Sequence, residues 1–102
     1  MTALSVPVFE VSFNGQYADI PAHMQDAIRR YVIQGYKPGD FLTGVITNNL
    51  RQAVGHADET NLPLLKTYVQ WFYNEAPGSC WGSVQAMNEW MTERSKDTFT
   101  LP

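Results

Sequence analysis

Cysteine occurs once and histidine twice in a chain of 102 residues, and neither comes with the neighbours its chemistry requires. A single cysteine forms no internal disulfide, which agrees with a reducing compartment. A zinc site needs about four ligands in recognisable pairs, and His23, His56 and Cys80 offer no CxxC and no HxxxH. No metal or other cofactor is expected. No apolar run approaches the roughly 20 residues that cross a bilayer. MTALSVPVF lacks the basic start and long apolar core of a signal peptide, so the expected location is the cytoplasm, with no membrane partner. Positive charge is also scarce: seven Lys and Arg stand against ten Asp and Glu, a net −3 that repels phosphate backbones and disfavours nucleic acid. What remains is 44% hydrophobic and 17% charged residues, the balance of one packed, lightly charged domain spanning residues 1–102.

The N-terminal pattern reads as extended chain. Phe9, Val11 and Phe13 alternate with Glu10, Ser12 and Asn14, the period of a half-buried strand. Asn14-Gly15 supplies a type I′ turn, which predicts a β-hairpin over about 8–19. Helical periodicity follows. Asp19 is a candidate cap and Pro21 a first-turn residue for a helix over about 21–34, with Ile20, Met24, Ala27, Ile28 and Tyr31 on its apolar face. Gly35 closes it in the left-handed conformation. Asp40 is a candidate N-cap for a second helix over about 41–57, whose stripe is Leu42, Val45, Ile46, Leu50, Ala53, Val54 and Ala57.

Thr60 or Asn61 caps a third helix, over about 61–76, and Ser83 a fourth, over about 83–93, with a frayed tail at 95–102. The expected fold class is therefore α+β and mostly helical, an N-terminal β-hairpin packed on a bundle of about four short helices.

Several constellations carry possible function. Cys80 lies just before the fourth helix, where a helix N-terminus or a base such as His56, oriented by Asp58, would lower a thiol pKa. These residues match no nucleophile motif, so Cys80 reads first as a small buried hydrophobe, with Trp81 tucked beside it in a corner between helices. Asn49 inside an apolar stripe implies a specific hydrogen-bond partner in the core, or else an amide setting register in a homodimer; the chain is expected to be a monomer or homodimer. The first two helices also read as a helix-turn-helix with Thr43, Thr47, Asn48, Arg51 and Gln52 facing DNA, a weaker alternative given the acidic balance. On the third helix Leu64, Tyr68 and Trp71 form either core or an aromatic protein-binding patch. Asp26, Arg29 and Arg30 form a polar face that offers a second candidate surface for a partner protein.

From Ile20 to Met91 the chain resembles small proteins encoded by tailed bacteriophages. The resemblance rests on IPAHMQDAIRRYVIQGYKPGDFLTGVITNNL, on AD at 57–58, and on YNEAPGSCWGS leading into Trp90-Met91. It implies a phage accessory protein acting in the bacterial cytoplasm. Its implied function is to bind and inhibit a host or immune protein complex, such as a CRISPR effector, without catalysing a reaction.

Overall fold

Pro21 starts the first helix because its fixed φ suits a helix opening and its missing N–H is not needed there. The computed structural model describes residues 11–99, with side chains described through residue 95. Five helices follow in order: α1 (Ala22–Gln34), α2 (Asp40–Ile46), α3 (Leu50–His56), α4 (Leu65–Glu75) and α5 (Val84–Phe99), with 3-10 turns at Gly15–Tyr17 and Gly78–Cys80. The described residues contain no strand, so the fold is all-helical and the expected α+β class is incorrect.

The hairpin is replaced by an arm. Residues 8–10 of the expected hairpin lie outside the described residues, and Val11–Asn14 has no regular structure. Gly15 takes the positive φ of 59° that its sequence promised, but Asn14 stays at −101°, and a type I′ turn requires positive φ at both. The arm finds its hydrogen bonds on helices instead of a second strand. Trp71 Nε1 donates to Ser12 O at 2.9 Å, and Arg29 Nε donates to Val11 O at 3.3 Å. Phe13 stacks on Trp71 with ring centroids 4.9 Å apart, and Arg29 lies over its ring. These helix side chains satisfy backbone groups that a hairpin would otherwise have paired.

Asp19 does not cap α1; Pro21 occupies that position, with no side-chain cap, and its carbonyl accepts from Met24 and Gln25. Ile28, Tyr31 and Val32 form the buried face of α1. Gly35 ends the helix at φ 74°, and a Cβ there would sit 2.5 Å from Arg94 Cβ on α5. Conformation and close packing both require glycine. Trp90 Nε1 on α5 donates to Tyr31 O and Val32 O, satisfying carbonyls in the last turn of α1.

The single helix expected over 41–57 is two helices. Asn48 adopts a left-handed φ of 60°, and Asn49 caps α3 by accepting from Gln52 N at 3.1 Å. Asn is among the residues best suited to both tasks, because its short amide bonds locally and tolerates that conformation. The break folds α3 back on α2, so closely that a Cβ on Gly44 would lie 2.5 Å from Ala53 N. Gly39 rather than Asp40 is the N-cap of α2, and Asp40 places its charge in the first turn, where it suits the helix dipole.

The inner face of α4 carries Tyr68, Trp71 and Phe72, all fully buried. Asp58, not Thr60 or Asn61, organises the approach to α4: its Oδ1 accepts from the backbone N–H of Thr60 and Asn61. Ser83 caps α5 as expected, its Oγ accepting from Ala86 N at 3.0 Å. The tail expected to fray is helical through Phe99, and residues 100–102 lie outside the described residues.

Candidate functional site: an apolar groove and a polar cleft

Reactive residue types at the Cys80 corner are used for packing. Cys80 is fully buried, and burial pushes its thiol up to about 12, against a backbone hydrogen bond that lowers it. A thiol held neutral at physiological pH is a poor nucleophile. His56 stands exposed on α3 beside Asp40 while Cys80 is buried, so the alternative Cys80-His56 pairing does not assemble. The backbone of the corner is anchored from two sides: Tyr31 Oη donates to Cys80 O at 2.6 Å, and Gly82 N donates to Ile46 O. Trp81 is half-buried, its ring 5.6 Å from that of Phe72, so the expected corner holds for Cys80 and in part for Trp81.

Of the two readings of Leu64, Tyr68 and Trp71, the structure shows core for Tyr68 and Trp71. Tyr68 and Trp71 are sealed inside, so neither can meet a partner without unfolding, while Leu64 is half-buried. Tyr68 donates from Oη to Asn61 Oδ1 at 2.6 Å. Burial first, and the nearby Asp58 charge second, push its hydroxyl well above the usual phenol range. On α1, Asp26 and Arg30 are exposed, and Asp26 pairs with Arg29 at 3.1 Å. Arg29 is committed to the N-terminal arm, which leaves only Asp26 and Arg30 of that trio as open surface.

Asn49 is also exposed, not buried; it serves the α2–α3 break and needs no core partner. Several residues of the alternative DNA-reading face are engaged within the fold. Thr43 and Thr47 are half-buried, Thr47 Oγ1 bonds Thr43 O, Asn48 lies in the turn, and Gln52 Nε2 donates to Asp40 O. Only Arg51 remains as a free, exposed cation of that set.

Splitting the second helix turns two expected core residues outward. Leu50 is 68% and Val54 44% exposed, one helical turn apart on α3. On α4, Val69 and Tyr73 are exposed at the same spacing. Leu50 and Val69 line an apolar groove of about 130 Å³ together with Gly44, Ala53, Leu65 and Trp81. Sequence periodicity placed Leu50 and Val54 inside because it assumed one unbroken helix. Asn48-Asn49, two residues that favour turns and caps, was the signal that could have placed them outside.

A second concavity of about 360 Å³ opens between α1 and the segment joining α3 to α4. Met24, Ala27, Phe41 and Leu42 give it apolar walls, while His23, Asp40, His56 and Asp58 supply polar groups. His56 Nδ1 lies 3.9 Å from Asp40 Oδ2, beyond hydrogen-bonding range. No group of three or more metal-ligating side chains occurs among the described residues. No described helix is long and apolar enough to cross a membrane.

The described residues form a small all-helical domain whose surface includes an apolar groove and a polar cleft. Comparison with protein-family models, with curated proteins and with solved structures finds no match to this chain.

Proposed function

We propose that this protein works by binding another protein through the strip formed by Leu50, Val54, Val69 and Tyr73. The observation that carries this reading is the groove that Leu50 and Val69 line, with the exposed Val54 and Tyr73 one helical turn further along the same two helices, a depression that a partner's apolar side chain would fill. Contiguous apolar surface on a small domain marks interaction sites, and buried aromatic anchors dominate such interfaces. The buried, neutral Cys80 weighs against thiol chemistry. The class of partner rests on the resemblance to tailed-phage proteins alone: a bacterial host or immune complex, such as a CRISPR effector, which binding would inhibit.

The test is affinity purification from a bacterial host using the wild-type chain and a Leu50→Asp/Val69→Asp variant. Exposed substitutions of this kind change stability by about 0.5 kcal/mol or less, so both chains should melt alike. A complex retained by the wild type and lost by the folded variant is the expected result. Equal capture by both chains would overturn the assignment of the strip.

A further inference from the structure

We propose that Asn14-Gly15 is a site of spontaneous modification, where the asparagine converts to isoaspartate in the folded protein and loosens the N-terminal arm. The reacting atoms are neighbours in the chain. An asparagine carries its amide carbon, Cγ, within reach of the next residue's backbone nitrogen, and a glycine there leaves the backbone free to turn and puts no side chain in the way. Gly15 is exposed, and a Cβ built on it would meet nothing within 4 Å. Asn14 is exposed as well, and its side chain makes no cap bond to the 3-10 turn it precedes. The first bond of that turn runs from Tyr17 N to Asn14 O, so the turn makes no use of the Gly15 N–H. Other asparagines differ on both counts: Asn49, Asn61 and Asn74 each make a side-chain hydrogen bond, and none of them precedes a glycine.

The reaction needs only water. The Gly15 nitrogen bonds to Asn14 Cγ, the side-chain nitrogen leaves as ammonia with the proton that Gly15 gives up, and a cyclic imide remains. One water then opens the ring. Cleavage at the main-chain carbonyl carbon of residue 14 gives isoaspartate, and cleavage at Cγ gives aspartate. Either product replaces a neutral amide with a carboxylate, and isoaspartate also adds a methylene to the backbone. That methylene falls between two anchored side chains. Upstream, Phe13 stacks on Trp71, and Ser12 O accepts from the Trp71 indole N–H. Downstream, Tyr17 is buried and its Oη accepts from Asn74 Nδ2 at 3.1 Å. Val11–Phe13 is held by side chains of α1 and α4 and has no regular structure of its own, so it is the side that yields.

The experiment incubates the folded wild-type chain and an Asn14→Gln variant at mildly alkaline pH, then maps peptides by mass and labels them with an isoaspartate-specific carboxyl methyltransferase. The variant keeps the fold, because residue 14 is exposed and makes no cap bond, and its longer side chain would have to close a larger, less favoured ring. The expected result is methyl label and the amide-to-acid mass change at residue 14 of the wild type, with neither in the variant nor at Asn49, Asn61 or Asn74. The indole N–H resonance of Trp71 should move in the aged wild type and stay in place in the aged variant. Conversion of residue 14 only in denaturant, or label found only at other asparagines, would overturn the site. Full labelling of residue 14 with the Trp71 resonance unmoved would overturn the loosening of the arm.

Discussion

The corner at residues 77–83 and the cleft around Asp40 and Asp58 both gather side chains with chemical potential, and they use them in opposite ways. At the corner the thiol of Cys80 is buried without solvent, and the neighbouring carbonyl is taken by Tyr31. At the cleft the carboxylates face outward and only part of their hydrogen-bonding capacity is used. The difference teaches that residue type alone does not mark a site. A polar group whose bonding is completed by the fold is structure, whereas one that faces solvent keeps lone pairs the fold does not use.

The largest expected effect lies behind the corner. Trp71 packs edge-on against Phe72, which in turn meets Trp81, and it also stacks on Phe13. Trp71→Ala is expected to cost about 3 to 5 kcal/mol in chemical denaturation, as for other large aromatics deleted from a core. A variant that unfolds at the wild-type midpoint would return Trp71 to the surface and break the contrast with the cleft.

A smaller effect should appear in alkali. The Cys80 thiol is raised from 9.0 to about 12 in the folded state, so between those values the unfolded chain binds fewer protons than the folded one. The contribution of this group is fully present below pH 9 and is lost as pH rises towards 12; the buried Tyr31 and Tyr68 hydroxyls act in the same direction. The urea midpoint is expected to fall over that range. In parallel, Cys80 should resist thiol reagents at neutral pH until denaturant is added. Fast labelling of the folded protein would show that the corner is open.

The smallest effect belongs to the cleft. Asp40→Asn and Asp58→Asn, each isosteric and each retaining the local hydrogen bonds, are expected to shift the denaturation midpoint by no more than about 0.5 kcal/mol. A large loss from either would mean that these carboxylates stabilise the fold as the corner does, and the comparison would collapse.

Much of the local punctuation was legible before the fold was known. Gly35 closes α1, Ser83 caps α5, and the interruption at Pro77-Gly78 separates α4 from the last helix, because each depends on a few neighbouring backbone groups. The arm was misread for an equally local reason. Alternation at Phe9, Val11 and Phe13 reports which side chains share a face of extended chain, and says nothing of whether a strand or a helix lies against it. Of the candidate surfaces, Leu64, Tyr68 and Trp71 were left open between core and interface because α4 is apolar around much of its circumference, so periodicity left two faces to choose from. The cleft was invisible for a different reason: His23, Asp40, Asp58 and Asn61 come from three separate segments, and no spacing links them.

The sequence by itself determined the stop at Gly35, the cap at Ser83 and the acidic balance, since these follow from residue identity and from interactions within a turn. Tertiary structure decided that Val11–Asn14 lies on α1 and α4, that Asn48 breaks a helix which hydrophobic periodicity would have continued, and that Leu50 and Val69 face solvent while Trp71 does not. The physical reason is reach. Caps and turns are closed by atoms a few residues apart, whereas the choice of which apolar face is buried is made by the whole set of helices competing for one core.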